Sequence, residues 1–193
     1  MMRIVRRTIL AAGLAMLLAP MLSGAAAAQD AWGAARAEGT HILMRHAIAP
    51  GTGDPSNFTL GDCKTQRNLS AGGRAQAARI GEELKDNAVP IDVVLTSQWC
   101  RARDTADQLR YRPVEDEPAL NSFFAGRGDR KAQTAALKQR ITALDMAGQK
   151  AVLVSHQVNI TALTGVYPSS GEIVVIRLGD DGKVSVEGRI RTE

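Results

Sequence analysis

Three histidines stand in the 193-residue sequence, and two of them close apolar runs. His46 ends His41-Ile42-Leu43-Met44-Arg45-His46, and His156 ends Ala151-Val152-Leu153-Val154-Ser155-His156. Arg45 adjoins the first, and Arg101 lies between them in the chain, just after a third apolar run, Ile91-Asp92-Val93-Val94-Leu95. A guanidinium is a planar fork that grips oxyanions in a bidentate manner. In the first turn of a helix, where Arg101 is predicted, free backbone N–H groups and the helix dipole favour an anion as well. A neutral imidazole is a competent nucleophile near pH 7. Together these residues suit chemistry on a doubly charged phosphoryl group. Each alone has a plainer account. Arg45-His46 could be solvated punctuation at a strand end. Arg101 could be one charge on a wet helix face with Arg103, Asp104 and Asp107, and His156 a satisfied core histidine. His41 has no such company and reads as a strand-entry residue.

The elements that must position these groups follow from the pattern. The three apolar runs read as buried strands, each bounded by polar or turn residues. Ser70 can cap a helix running to about Asn87, with Ala77, Ile80 and Leu84 on one face. A second helix is expected over 99–110, a third from Asp129 or Arg130 to Gly148, and a short fourth over 158–163. Pro113 and Pro118 frame an extended segment. Residues 172–178 and 183–190 alternate around Gly179-Asp180-Asp181-Gly182, a hairpin signal. Strands alternating with helices predict an α/β fold, three layers α/β/α around a largely parallel central sheet. Ligands in such sheets sit outside the carboxyl ends of the strands, where all three runs deliver polar groups. The loop over 47–68 is long for a connection without secondary structure, and loops of that kind usually carry function or motion.

Residues 1–28 stand apart. Arg3, Arg6 and Arg7 precede a mostly apolar run from Ile9 to Leu22, and Ala26-Ala27-Ala28 supplies small residues for cleavage before Gln29. This is a secretory leader pattern, and Pro20 interrupts it short of the roughly 20 apolar residues a membrane span needs. The expected organisation is a leader over 1–28 and a single domain over 29–193, periplasmic or secreted, with no span left after cleavage. Removing three arginines brings Lys+Arg from 24 to 21 against 20 Asp+Glu, so the mature charge is close to neutral. Nucleic acid is therefore not an expected partner. Cys63 and Cys100 are the only two cysteines. In an oxidising compartment they can form one bridge, and two separate thiols are the alternative. No HExxH or paired CxxC is present, so no metal is expected, and neither a nucleotide P-loop nor a Gly-x-Ser-x-Gly elbow occurs.

The ordered set of motifs resembles the histidine phosphatase superfamily, the branch that contains the cofactor-dependent phosphoglycerate mutases. The matching stretches are Arg45-His46-Ala47 after a strand, Asn68-Leu69-Ser70-x-x-Gly73-x-x-Gln76-Ala77 at a helix start, Arg101-Ala102-x-x-Thr105-Ala106, and Ser155-His156 after a strand. The resemblance implies a phosphatase without a cofactor, in which His46 becomes phosphorylated, Arg45 and Arg101 hold the phosphoryl oxygens, and His156 bonds them in the transition state. It implies a phosphorylated substrate, either a small molecule or a bulky glycan or protein phosphate. Exported relatives associated with phosphate on lipopolysaccharide core sugar share the cysteine-containing loop after Arg-His-Ala.

Two departures bear on mechanism. Gln157 follows the second histidine where the family usually has glycine, which puts a side chain at the pocket. Asn121 and Ser122 stand where the family's general acid, a glutamate after leucine, is expected; both are candidate substrate contacts, but neither can donate a proton with a suitable pKa. Asp54 is the favoured replacement donor, with Asp62 and Glu117 as further candidates, and a turn-shaping role for Asp54 is the alternative. A phosphate-binding module that has lost catalysis is the competing function.

Overall fold

The computed structural model describes residues 31–192. The leader expected over 1–28 lies outside the described residues. Six strands form one sheet: β1 (His41–Arg45), β2 (Val93–Thr96), β3 (Val114–Asp116), β4 (Ala151–Ser155), β5 (Ile173–Leu178) and β6 (Val184–Ile190). Helices α1 (Ala71–Asp86), α2 (Cys100–Gln108), α3 (Arg130–Met146) and α4 (Gln157–Thr164) accompany it. The strand order is β3-β2-β4-β1-β5-β6. β1, β2, β3 and β4 run parallel, and β5 and β6 add an antiparallel edge.

Side chains alternate across a strand, so β1 feeds two cores. Ile42 and Met44 pack with Ile80 and Leu84 of α1 and Ala102 and Ala106 of α2 on one face. Leu43 packs with Leu137, Ile141 and Leu144 of α3 and Ile160 of α4 on the other. Burial on both faces is why β1, β2 and β4 read as unbroken apolar runs. The predicted three-layer α/β/α architecture is the observed one.

The differences are local. The segment between Pro113 and Pro118 pairs with β2 as an edge strand; its Glu115 and Asp116 face solvent and leave no apolar signature. β2 starts at Val93 rather than Ile91, because Asp92 is spent on Lys150: its backbone N–H donates to the Lys150 carbonyl, and its carboxylate accepts from the Lys150 N–H. A helical stretch over 31–36 sets Ala31 and Ala35 into the first core. His41, at the entry to β1, donates from Nε2 to Asp145 and accepts the Ala151 N–H at Nδ1, tying β1, α3 and β4 together.

α1 and α2 approach closely through Gly81, where a Cβ would lie 2.3 Å from the Leu109 carbonyl oxygen. Backbone cannot retreat as a side chain can, so Gly81→Ala is expected to destabilise by about 1–3 kcal/mol through overpacking. Urea unfolding measures this, and an unchanged midpoint would contradict it.

The register fixes where chemistry can occur. Arg45 pairs with Ser155, and Thr96 with Val154, so β1, β4 and β2 end along one edge. The next residues, His46, His156 and Ser97, leave the sheet side by side. The His46 N–H donates to the Ser155 carbonyl and the Ser97 N–H to the Val154 carbonyl, at 2.9 and 3.0 Å.

Candidate active site

Along this edge His46 and His156 sit with ring centroids 5.4 Å apart, 2 % and 3 % exposed. His46 Nδ1 lies 2.8 Å from the Ala47 carbonyl oxygen. A carbonyl only accepts, so Nδ1 carries the proton of the neutral ring and Nε2 keeps a lone pair. His156 is held in the opposite tautomer. Its Nδ1 is 3.4 Å from Arg101 Nη2, which only donates, so the proton is on Nε2, 2.8 Å from Ser97 Oγ. Ser97 Oγ donates onward to Asn121 Oδ1 at 3.2 Å. Asn121 Oδ1 also accepts the Gln98 N–H, and its Nδ2 donates to Gln98 Oε1.

Arg101, 3 % exposed, joins the two rings. Its Nε donates to His46 Nε2 at 3.2 Å, and its Nη1 donates to Asp54 Oδ1 at 2.7 Å. Asp54 accepts further from the Arg67 N–H on Oδ1 and from Trp99 Nε1 on Oδ2, both at 3.1 Å. Burial pushes the Asp54 pKa up, but the hydrogen bond and charge of Arg101 outweigh it, and the carboxyl is held below its usual range. An ionised carboxylate with both oxygens occupied is suited to orienting Arg101 and poorly suited to giving up a proton.

Two more guanidinia reach the cleft. Arg45 Nη1 donates to the Pro168 carbonyl at 3.0 Å, while its buried Nε has no partner among the described residues. Arg67 donates from Nε and Nη1 to the carbonyls of Gly53 and Ala49, and burial, with the nearby Arg101 charge, lowers its pKa to about 10. The cleft measures about 170 Å³ and is lined by Arg45, His46, Arg67, Arg101, Ser122 and His156, with Gly51, Thr52, Gly53, Phe124, Gln157, Val158 and Tyr167 at its walls. No carboxylate is among the described residues that line it.

Burial, followed by Arg101, holds His46 well below its usual pKa; burial, then His46 and Arg101, does the same for His156. Burial also lowers His41, against its bond to Asp145. All three histidines are thus neutral when folded, and the unfolded chain takes up protons below about pH 6.5 that the folded chain does not. Their stabilising effect is complete above that pH and is lost as the pH falls. Each contributes a slope of at most about 1.4 kcal/mol per pH unit. Urea unfolding at pH 7.5, 6.5 and 5.5 should show stability dropping steeply across the last interval, and a flat profile would contradict the assignment.

The comparisons with known proteins agree with this arrangement. The sequence profile of the histidine phosphatase superfamily (branch 1) matches residues 42–146, more than half of the chain. The chain belongs to this superfamily. The matched stretch contains Arg45, His46, Arg67 and Arg101 and stops short of His156, which the fold brings to the site through β4.

No curated protein sequence matches significantly. Solved structures similar to the chain include the protein histidine phosphatase SixA complexed with tungstate, at 20% identity and TM-score 0.58, covering 78% of this chain and 96% of that one. A mycobacterial glucosyl-3-phosphoglycerate phosphatase aligns at 18% identity and TM-score 0.53, covering 72% and 90%. Phosphoserine phosphatase from Entamoeba histolytica, in complex with 3-phosphoglyceric acid, aligns at 15% and 0.57, covering 80% and 98%. At these identities the likeness is one of fold.

Among histidine phosphatase positions expected from the sequence, Arg45, His46, Arg101, His156, Ser122 and Gln157 converge on the cleft. Asn121 does not line it; its amide braces the turn after β2. Glu117 caps Ala119 and pairs with Arg140, and Asp62 caps Lys64, so neither is a donor at the cleft. Cys63 and Cys100 form a disulfide. Arg67 and Tyr167 were not singled out by sequence. Arg67 directly precedes the Asn68-Leu69-Ser70 helix start, the one clue to it; Tyr167 stands in the irregular stretch between α4 and β5, with no pattern.

Proposed function

We propose that the protein is an exported phosphatase that hydrolyses phosphomonoesters or phosphoramidates through a phosphohistidine on His46. The observation that carries this reading is the His46 Nε2 lone pair beside a cleft lined by three guanidinia and a second histidine. Nε2 attacks phosphorus, the bond to the leaving oxygen or nitrogen breaks, and its electron pair departs with the leaving group. Arg45, Arg67 and Arg101 face the equatorial oxygens as charge shifts onto them, while His156, whose Nε2–H is engaged by Ser97, holds Arg101 through Nδ1. Water then attacks the phosphohistidine, releasing phosphate and restoring the imidazole. Asp54 acts by holding Arg101 rather than as the acid.

A carboxylic acid normally contributes about 10²–10⁴-fold by protonating the leaving group. With none among the described residues that line the cleft, substrates that leave without such help are favoured. Aryl phosphates and phosphoramidates are expected to turn over at least about 100-fold faster than simple alkyl phosphates. Equal rates across leaving groups would overturn the acid-poor mechanism, and no turnover of an aryl phosphate would overturn the phosphatase reading. The small cleft suits a phosphoryl group whose carrier stays largely outside, which supports a bulky glycan or protein phosphate. Export is supported by the leader pattern of residues 1–28 and is tested by fractionating cells that express the full chain.

Asn121 and Ser122 at the expected acid position favour one alternative, a phosphate-binding module without turnover. An acid-labile, base-stable phosphoenzyme would exclude it.

A further inference from the structure

The loop over 47–68 carries Asp54 and Arg67 into the site, yet almost nothing apolar holds it. Between residues 50 and 65 no apolar residue is buried, the Asp54 carboxylate is buried against Arg101, and Ala47, Ala49 and Gln66 are the buried residues of the whole loop. Its ties to the body are polar or partly exposed. Gln66 Oε1 accepts the Cys100 N–H at 3.0 Å, Asp54 meets Arg101 and Trp99, Phe58 stacks on Trp99, and Arg127 donates to the Pro55 carbonyl. The covalent tie is the bridge from Cys63 to Cys100. Cys100 is the first residue of α2 and immediately precedes Arg101, while Cys63 lies on an exposed helical turn without a buried residue.

We propose that the Cys63–Cys100 bridge is a reducible clasp of the active site, so that a dithiol reductant lowers turnover by freeing the loop that positions Arg101 and Arg67. The inference rests on the phosphatase reading of the same site. The chemistry favours attack from outside at Cys63. A reductant thiolate bonds to Sγ of the exposed residue Cys63, the S–S bond breaks, and the electron pair leaves with Cys100 Sγ. A thiolate there is stabilised by the first turn of α2, which makes it the better leaving group. The second thiol of the reductant then closes on the mixed disulfide and releases Cys63. Two electrons pass from the reductant, which ends as a disulfide, and two protons accompany the protein's thiols.

Once the bridge is open, a loop with few buried contacts opens locally while both cores stay packed. Asp54 and Arg67 lose their fixed positions, and Arg101 loses its orienting carboxylate. A misplacement of about 1 Å costs on the order of 100-fold in rate.

The test uses the full chain, oxidised and after dithiothreitol treatment, with two thiols confirmed by titration and secondary structure by circular dichroism. Hydrolysis of an aryl phosphate gives kcat and KM, and calorimetry gives the affinity for inorganic phosphate. A fall of fivefold or more in kcat/KM on reduction, reversed on reoxidation, is the expected result, and a smaller fall overturns the clasp. A bridge that merely stabilises the fold would lower the urea midpoint and leave kcat/KM intact. The double variant C63S/C100S should match the reduced protein and ignore the reductant; if it fails to fold, the reduced natural chain decides. Should the oxidised protein bind phosphate without turning over substrate, the phosphatase reading falls alone. The clasp then stands if phosphate affinity drops at least fivefold on reduction and falls if it does not.

Discussion

His46→Ala is expected to lower kcat/KM on an aryl phosphate by about four orders of magnitude or more and to abolish the phosphoenzyme, the scale seen when a nucleophile is removed from a catalytic unit. The size follows from the covalent step: His46 is fixed by the Ala47 carbonyl with Nε2 unprotonated, and the proposed reaction passes through a bond to that nitrogen. Steady-state kinetics and acid-quench labelling measure both effects, and exogenous imidazole should restore part of the activity by filling the vacated space. A variant that retains activity within tenfold would remove His46 from the mechanism.

Asp54→Asn separates two roles for one carboxyl group. If Asp54 orients Arg101, as its 2.7 Å bond and full set of donors imply, the amide should cost about 100-fold on every substrate. The same factor should apply to aryl and alkyl phosphates, because the lost alignment concerns the phosphoryl group they share. A proton donor would behave otherwise: alkyl phosphates, whose leaving groups need the proton, would suffer far more. The ratio of the two losses is the measurement. An unequal ratio would return the acid role to Asp54.

Much of this site was legible before the fold was known. The unbroken apolar runs ending in Arg45-His46 and Ser155-His156 read as buried strands with polar tips, and parallel strands place such tips together. The helix start at Ser70 and the turn at Gly179 announced themselves through capping and hairpin chemistry. What escaped is carried by contacts between distant segments. Arg67 belongs to the cleft only because its Nε and Nη1 fold back on Gly53 and Ala49, a loop conformation with no periodicity to betray it. Asp54 was visible as a carboxylate near the nucleophile, but its partners, Arg101 and Trp99, are more than forty residues away along the chain, and they decide whether it holds or gives a proton. Asn121, a candidate substrate contact by its chain position, turns its amide to Ser97 and Gln98 instead, since chain order says nothing about which way an amide faces.

The balance of charge around Arg101 reaches beyond the chemical step. Three guanidinia face one ionised carboxylate and two neutral rings, leaving two positive charges for an incoming dianion. Inorganic phosphate carries nearly the same charge and geometry as the group that was transferred, so the site has little means of preferring substrate over spent product. Hydrolysis should slow as phosphate accumulates around the protein, and its working rate then depends on how phosphate-poor its surroundings are.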